Sequence, residues 1–187
     1  ADYLSEENAP WYIYHSSITK VEIADGVTSI GSYAFENCEK IVHVTIPDSV
    51  TSIGDGAFAG CVAISEVSIP AGVTNIGRAA FQSCSTLTNI NVDAANPNYK
   101  SVGGVLFTKD GKALVQYPAG IEAETYEVPG DVTEIYGAAF ASCKLSTVKL
   151  HDGIKTIEDG AFAMCTNLVN INLPSGITRI GDAAFAL

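Results

Sequence analysis

Apolar and polar positions along the chain come in short bursts that return at a fixed interval. Phe35, Phe58 and Phe81 stand 23 residues apart, and Phe140, Phe162 and Phe185 continue the series in steps of 22 and 23. Each follows an Ala, and all but the last precede a Cys by three places: Cys38, Cys61, Cys84, Cys143 and Cys165. A unit this short cannot bury its own apolar side. Its copies must therefore stack and share one core along the array.

Each copy has three parts. An L-x-x-I-x-I run comes first. In it Val21 and Ile23, Val44 and Ile46, Val67 and Ile69, Ile90 and Val92, Val148 and Leu150, and Ile171 and Leu173 lie two apart. That period predicts a strand with these side chains inward and the residues between them outward. Copies laid side by side would pair the strands in parallel. Pro47, Pro70 or Pro174 then ends the strand, having no amide to give a ladder. A V-x-x-I segment follows, as at 50–53 and 73–76, and a Gly after most of these (Gly31, Gly54, Gly77, Gly181) frees the backbone for a corner. The Ala-Phe-x-x-Cys segment closes the copy. Apolar residues at i, i+1 and i+4 predict one short helical or 3₁₀ turn, so the expected class is an α/β repeat solenoid.

The period breaks once, between Cys84 and Cys143, which are 59 residues apart. Two β-rich runs lie inside the break, at 105–108 and 113–117, joined by Lys109-Asp110-Gly111-Lys112. Asp-Gly is a strong hairpin signal because a type I′ turn needs φ > 0 twice. Gly103-Gly104 reads as a corner. One elongated domain over 1–187 is expected. It begins with a cap over 1–17 whose aromatics, Trp11 to His15, close the first coil. Regular copies at 18–92, a β-hairpin insertion at 93–125 and regular copies at 126–187 follow. The last copy ends before its Cys, which predicts a truncated array.

Charge narrows the partners. With 21 Asp and Glu against 10 Lys and Arg the net charge is −11, which argues against nucleic acid or an anionic membrane surface. No run of 18 apolar residues occurs, so direct membrane insertion by a helix is not expected. The cysteines recur singly at one repeat position. They are expected as a column of buried free thiols, since parallel, like-directed Cβ bonds make poor disulfide geometry. That pattern suits neither the paired, converging ligands of a zinc site nor a disulfide framework.

Candidate chemistry is sparse. His15, His43 and His151 have no metal-ligand spacing and read as surface residues. Gly54-Asp-Gly56 and Gly103-Gly104 fit no phosphate-loop pattern, and no G-x-S-x-G element occurs. Asp25, Asp48, Asp131 and Asp152 fall at the turn after the strand without a calcium-loop motif, and read as solvated turns. No catalytic, cofactor or metal residue is assigned, and the chain reads as a non-enzyme.

The unit I-P-x-x-V-T-x-I-G-x-x-A-F-x-x-C, matched almost throughout at 46–61 and 69–84, resembles the BspA-like, or Treponema-type, leucine-rich repeat. The insert N-P-N-Y-K-S-V-G-G-V-L-F-T-K-D-G-K-A-L-V-Q-Y-P is similar to the hairpin insertion of that family. The resemblance implies a right-handed curved superhelix with a parallel sheet on its concave face and helical turns on the other side. It also implies a bacterial cell-surface or secreted protein of a host-associated organism, acting in adhesion or protein binding. The family has no catalytic motif to carry across.

A protein or glycan partner is expected on the outward side of the first strands. One column there is Lys20, His43, Glu66, Asn89, Thr125, Thr147 and Asn170; beside it run Glu22, Thr45, Ser68, Asn91, Glu127, Lys149 and Asn172. These positions vary from copy to copy while the inward ones scarcely change. Exposed strand positions are polar for solubility in any case, so the alternative is a passive stalk or spacer carrying a functional domain. The lysine-bearing hairpin tip at 109–112 is a second candidate surface.

Overall fold

The structure, a computed structural model, describes residues 9–187; the opening half of the expected cap lies outside the described residues. Seven coils follow one another. Their first strands are β1 (Lys20–Glu22), β3 (His43–Thr45), β5 (Glu66–Ile69), β7 (Asn89–Val92), β11 (Thr125–Glu127), β13 (Thr147–Lys149) and β15 (Asn170–Ile171). Six coils have a short second strand: β2 (Ser29–Ile30), β4 (Ser52–Ile53), β6 (Asn75–Ile76), β12 (Glu134–Ile135), β14 (Thr156–Ile157) and β16 (Arg179–Ile180). Coil four differs. Between β7 and β11 it carries β8 (Tyr99–Val102), β9 (Val105–Thr108) and β10 (Ala113–Gln116).

Within each sheet of first or second strands, equivalent strands pair in parallel, and equivalent residues sit opposite one another. Val21 lies beside Val44, Val67 beside Ile90, and Val148 beside Ile171. Ile30, Ile53 and Ile76 form one row in the second strands, and Ile135, Ile157 and Ile180 another. The first-strand alternation places Val67, Ile69, Ile90, Val148 and Leu150 in the core. Leu173 and Ile180 are about half exposed, at 49% and 48%, because no further described coil covers them.

The third side corrects the expected class. Ala-Phe-x-x-Cys is not helical, and the 3₁₀ turn at Tyr12–Tyr14 is the sole helical element among the described residues. The segment is instead a ribbon of turns. Residues two before and two after each Phe have positive φ: Tyr33 and Asn37, Gly56 and Gly60, Ala79 and Ser83, Ala138 and Ser142, Gly160 and Met164. This conformation aims every second amide at the next coil. Tyr33, Phe35 and Asn37 donate to the carbonyls of Asp55, Ala57 and Ala59 at 2.7–2.8 Å. Gly56, Phe58 and Gly60 donate to Arg78, Ala80 and Gln82 in the same way. A helix would turn all its amides along its own axis and leave none to join the coils. The glycine after V-x-x-I also has a different role from the one expected. A Cβ on Gly54 would lie 2.4 Å from the Ser32 nitrogen, and one on Gly77 would lie 2.4 Å from the Asp55 nitrogen. These glycines permit close approach of successive backbones.

The rings stack along the axis. Phe35–Phe58 and Phe58–Phe81 centroids are 5.3 and 5.7 Å apart, with near-parallel planes. Trp11 continues the column over Phe35 at 5.3 Å and donates its indole N–H to the Ala34 carbonyl. A second column runs Tyr117, Phe140, Phe162, Phe185 at 5.2, 4.9 and 5.2 Å. Tyr117 is thus the aromatic of coil four, and its N–H reaches the Ala139 carbonyl as each Phe amide does elsewhere. Its hydroxyl is buried with no hydrogen-bond partner among the described residues. Burial, with Cys143 and Tyr126 beside it, pushes the phenol up to about 12.

The insertion is larger than a hairpin. β8, β9 and β10 form an antiparallel meander, and β10 then pairs in parallel with β12. Gly103 and Gly104, at φ 58° and 82°, make the first hairpin turn, and 109–112 the second. Period-two alternation divides the meander between two cores. Leu106 and Val115 pack with the cluster of Phe58 and Phe81, whereas Val105, Phe107, Leu114 and Tyr117 pack with that of Phe140 and Phe162. The meander is therefore a two-sided wedge inside the stack.

Two outcomes follow from this packing. Phe81→Ala should cost about 3–5 kcal/mol in denaturant unfolding, as for a fully buried ring. Phe185→Ala should cost clearly less, its ring being 37% exposed. Tyr117→Phe should raise the melting temperature, because it removes an unsatisfied buried hydroxyl worth about 1–3 kcal/mol.

Candidate functional site

The outward residues of the first strands form rows, and the pairing sets their order. Lys20 lies opposite His43 and Glu22 opposite Thr45; Glu66 lies opposite Asn89 and Ser68 opposite Asn91. In the later coils Thr125, Thr147 and Asn170 share one row, and Glu127 lies beside Lys149. Most are exposed; Asn89 and Thr147 are half-buried. Some are engaged within the row. Lys20 pairs with Glu22, and the Asn89 amide donates to Asn91 Oδ1 at 3.0 Å. Asn172 turns back on coil six, accepting from the Leu150 N–H and donating to its carbonyl at 3.0 and 2.7 Å. There it serves as a substitute strand residue.

These rows do not form one continuous surface. The Gly103-Gly104 turn enters after β7, where the Ile90 N–H donates to the Gly104 carbonyl at 3.0 Å. It separates the first strands of coils one to four, paired as β1–β3 and β5–β7, from the three-stranded sheet β11–β13–β15. The Gly-Gly pair between two β-rich runs was the available signal for this turn.

Two of the three histidines have structural partners. His15 stacks on Tyr12 and bonds to its carbonyl at 2.7 Å. His151 bonds to the Pro129 carbonyl through Nε2 and accepts from the Gly153 N–H at Nδ1. All five cysteines are free and buried. The Cys61, Cys84 and Cys165 thiols donate to the carbonyls of Phe35, Phe58 and Phe140, each in the preceding coil. Burial pushes the Cys84 thiol up to about 12, and Cys61 is raised further. No group of three or more His, Cys, Asp or Glu converges on a metal position among the described residues.

One cluster is absent from any sequence-level reading. Arg78 of coil three reaches across coils four and five to Asp159 at 2.9 Å and Glu158 at 3.3 Å. Arg179 holds the same two carboxylates at 2.9 and 3.4 Å. The Arg78 guanidinium, with the Asp182 amide, keeps the Asp159 carboxyl below its usual range. Beneath Arg78 lies a cleft of about 320 Å³, floored by Ile76, Phe81 and Val115 and walled by Gln116, Glu134, Tyr136 and Glu158. Its lining holds no Ser, Cys or His, so no hydroxyl–imidazole or thiol–imidazole pair can be assembled in it. Arg78 stands where other coils have Ser32, Asp55, Asp159 or Asp182, and that exchange was the visible signal.

Fold and surface together define a parallel β-solenoid whose repeat arranges polar side chains in rows. The chain belongs to the BspA type leucine rich repeat family, whose model matches six copies over residues 11–120 and 119–187. Among solved structures it is similar to a leucine rich cell surface protein of Faecalibacterium prausnitzii, at 35% identity and TM-score 0.83 over 92% of this chain and 46% of that one. It is also similar to the pneumococcal vaccine antigen PcpA, at 28% identity and TM-score 0.80 over 86% and 40% of the two chains. A leucine-rich repeat protein of Eubacterium ventriosum matches at 28% identity and TM-score 0.64, over 97% and 60%. The chain thus spans 40–60% of the length of these relatives. No curated protein matches it.

The thiol column yields a direct check. Native protein at pH 8 should react with a thiol reagent at well under one group per chain within minutes. After denaturation all five cysteines should react.

Proposed function

We propose that the chain is a non-enzymatic protein-interaction module of a bacterial cell-surface or secreted protein, with adhesion as its role. It binds through the outward face of its first strands. The observation that carries this reading is the register. Side chains from successive coils stand opposite one another in polar rows, on a backbone fixed by the core beneath. Such a surface can differ at every position without disturbing the fold, as repeat-protein binding faces do. The relatives described as cell-surface or antigen proteins support the location. No helix among the described residues is long and apolar enough to cross a membrane.

The binding panel is β3, β5 and β7, where His43, Thr45, Glu66, Ser68, Asn89 and Asn91 lie together. Lys20 and Glu22 extend it at one edge. The second panel, with Glu127, Thr147, Lys149, Asn170 and Asn172, adds a separate patch beyond the Gly103-Gly104 turn. The partner is a protein or a glycan.

Immobilised protein should capture a ligand from surface extracts of host or neighbouring cells, or from a glycan array. A variant carrying Glu66→Ala, Asn89→Ala and Asn91→Ala should lose at least about tenfold in affinity, with its unfolding transition unchanged. Capture unaffected by that variant would move the contact off this face. No ligand across broad protein and glycan screens would instead favour a spacer.

A further inference from the structure

The wedge leaves one edge of the stack unmatched. In coils one, two, five and six three alternate amides per coil reach carbonyls of the next coil. Coil three keeps the conformation that aims them, with φ 56° at Ala79 and 57° at Ser83. The meander has displaced the backbone that should accept them. The N–H groups of Ala79 and Phe81 meet no acceptor among the described residues, and both residues line the 320 Å³ cleft. Amides that line a cleft without a protein acceptor must bond to water or to an occupant, so this edge suits an oxygen-bearing occupant.

The chain itself shows what fits such an edge. One coil earlier, the equivalent amides of Gly56 and Phe58 are taken by the carbonyls of Arg78 and Ala80, two residues apart in sequence, at 2.9 and 2.8 Å. The complementary occupant is a stretch of backbone offering a carbonyl at every second residue, as in strand addition to an open edge. Charge specifies it further. The Glu134 carboxylate, in the cleft wall, has no hydrogen bond or ion pair among the described residues. Burial and the neighbouring Glu158 raise its pKa. Arg78 is already committed to Glu158 and Asp159. A cation on the occupant would find in Glu134 an unopposed partner. The volume lies at the lower end of ligand clefts, ~300–1,000 Å³, which limits the occupant to a few residues.

We propose that this cleft binds a short extended segment of a partner protein, whose alternate carbonyls accept from Ala79 and Phe81 while a lysine or arginine side chain faces Glu134. The site lies apart from the first-strand face and shares no residue with it. It therefore stands or falls independently of the function proposed above.

The test uses the full chain, labelled with ¹⁵N, and N-acetyl-Ala-Lys-Ala-amide as probe. The expected result is saturable movement of the Ala79 and Phe81 amide resonances, together with slowed solvent exchange at both. The Ala-Glu-Ala analogue should bind at least about tenfold more weakly, as should the lysine peptide to Glu134→Gln. Butylamine, which has the cation without the carbonyls, should not reproduce the amide shifts. The Glu66, Asn89 and Asn91 triple variant should bind the probe as the parent does. Shifts confined to other residues would overturn the proposal. Equal binding of the acidic peptide would also overturn it, as would glucose moving these two amides while the lysine peptide does not.

Discussion

Each coil holds its neighbour through amides that point along the stack, and the rest of the molecule is arranged so that they can. Within a turn ribbon alternate amides close local turns, as Ala57 does to Gly54 and Ala59 to Gly56, and the amides between them have no partner in their own coil. The bonds from Phe35 to Ala57 and from Phe58 to Ala80 exist solely because another ribbon of the same shape lies alongside. Shape must therefore repeat more faithfully than composition. Residues that can adopt positive φ are needed two places to either side of each ring, and Gly56, Gly60 and Asn37 do so at little cost. Glycine at 54 and 77 keeps the backbones within reach. Asp55 and Asp159 add one more link each, accepting from the Arg78 and Asp182 amides of the following coil.

The same constraint explains what an insertion does. A loop added at the surface would leave the ladders intact. This insertion passes through the stack, because β10 occupies the second-strand position of coil four while β8 and β9 have no counterpart in any other coil. One sheet face then meets the core of the first coils and the other meets that of the last. At the edge of β6 the Tyr99 hydroxyl accepts from the Ile76 N–H at 3.0 Å, so a side chain replaces part of the lost ladder there. Asn96 does likewise: fully buried, it donates to the Pro70 and Val73 carbonyls and accepts from the amides of Asn98 and Tyr99. Ala79 and Phe81 receive no such substitute, and the cleft is the result.

Much of this could be read from the residues, and what could not has a physical reason. The ring period and the strand alternation were visible because burial imposes them directly on residue type. The turn ribbon was not, since apolar positions at i, i+1 and i+4 suit a helical turn as well. The discriminating signal lay in Gly56 and Gly60, placed symmetrically about Phe58, and demanded by backbone conformation, not by burial. Tyr117 went unrecognised as a coil aromatic because Gln116 and Gly120 stand where Ala and Cys are usual. The cleft could not be foreseen. It depends on how far the wedge holds coil three from coil five, a distance encoded by side-chain volumes on both faces of the meander. The first-strand rows were legible as outward positions, but their division into two panels depended on the Gly103-Gly104 turn.

The stack is nearest to two bodies at the cleft, and the contacts there differ in what they can do. The Arg78 clasp spans the gap, but its guanidinium side chain is 57% exposed, and water screens exposed ion pairs until little net attraction remains. The hydroxyls of Ser83 and Ser142, 2.9 Å apart, add a single neutral bond. Leu106, Val115, Leu114 and Phe107 are by contrast buried at 6% exposure or less, and each such side chain contributes about 1.5–3 kcal/mol. The two halves are therefore coupled by the apolar faces of the meander and not by the charges bridging it. Arg78 acts chiefly on the cleft beneath it: by occupying Glu158 and Asp159 it leaves Glu134 as the unpaired carboxylate of the wall.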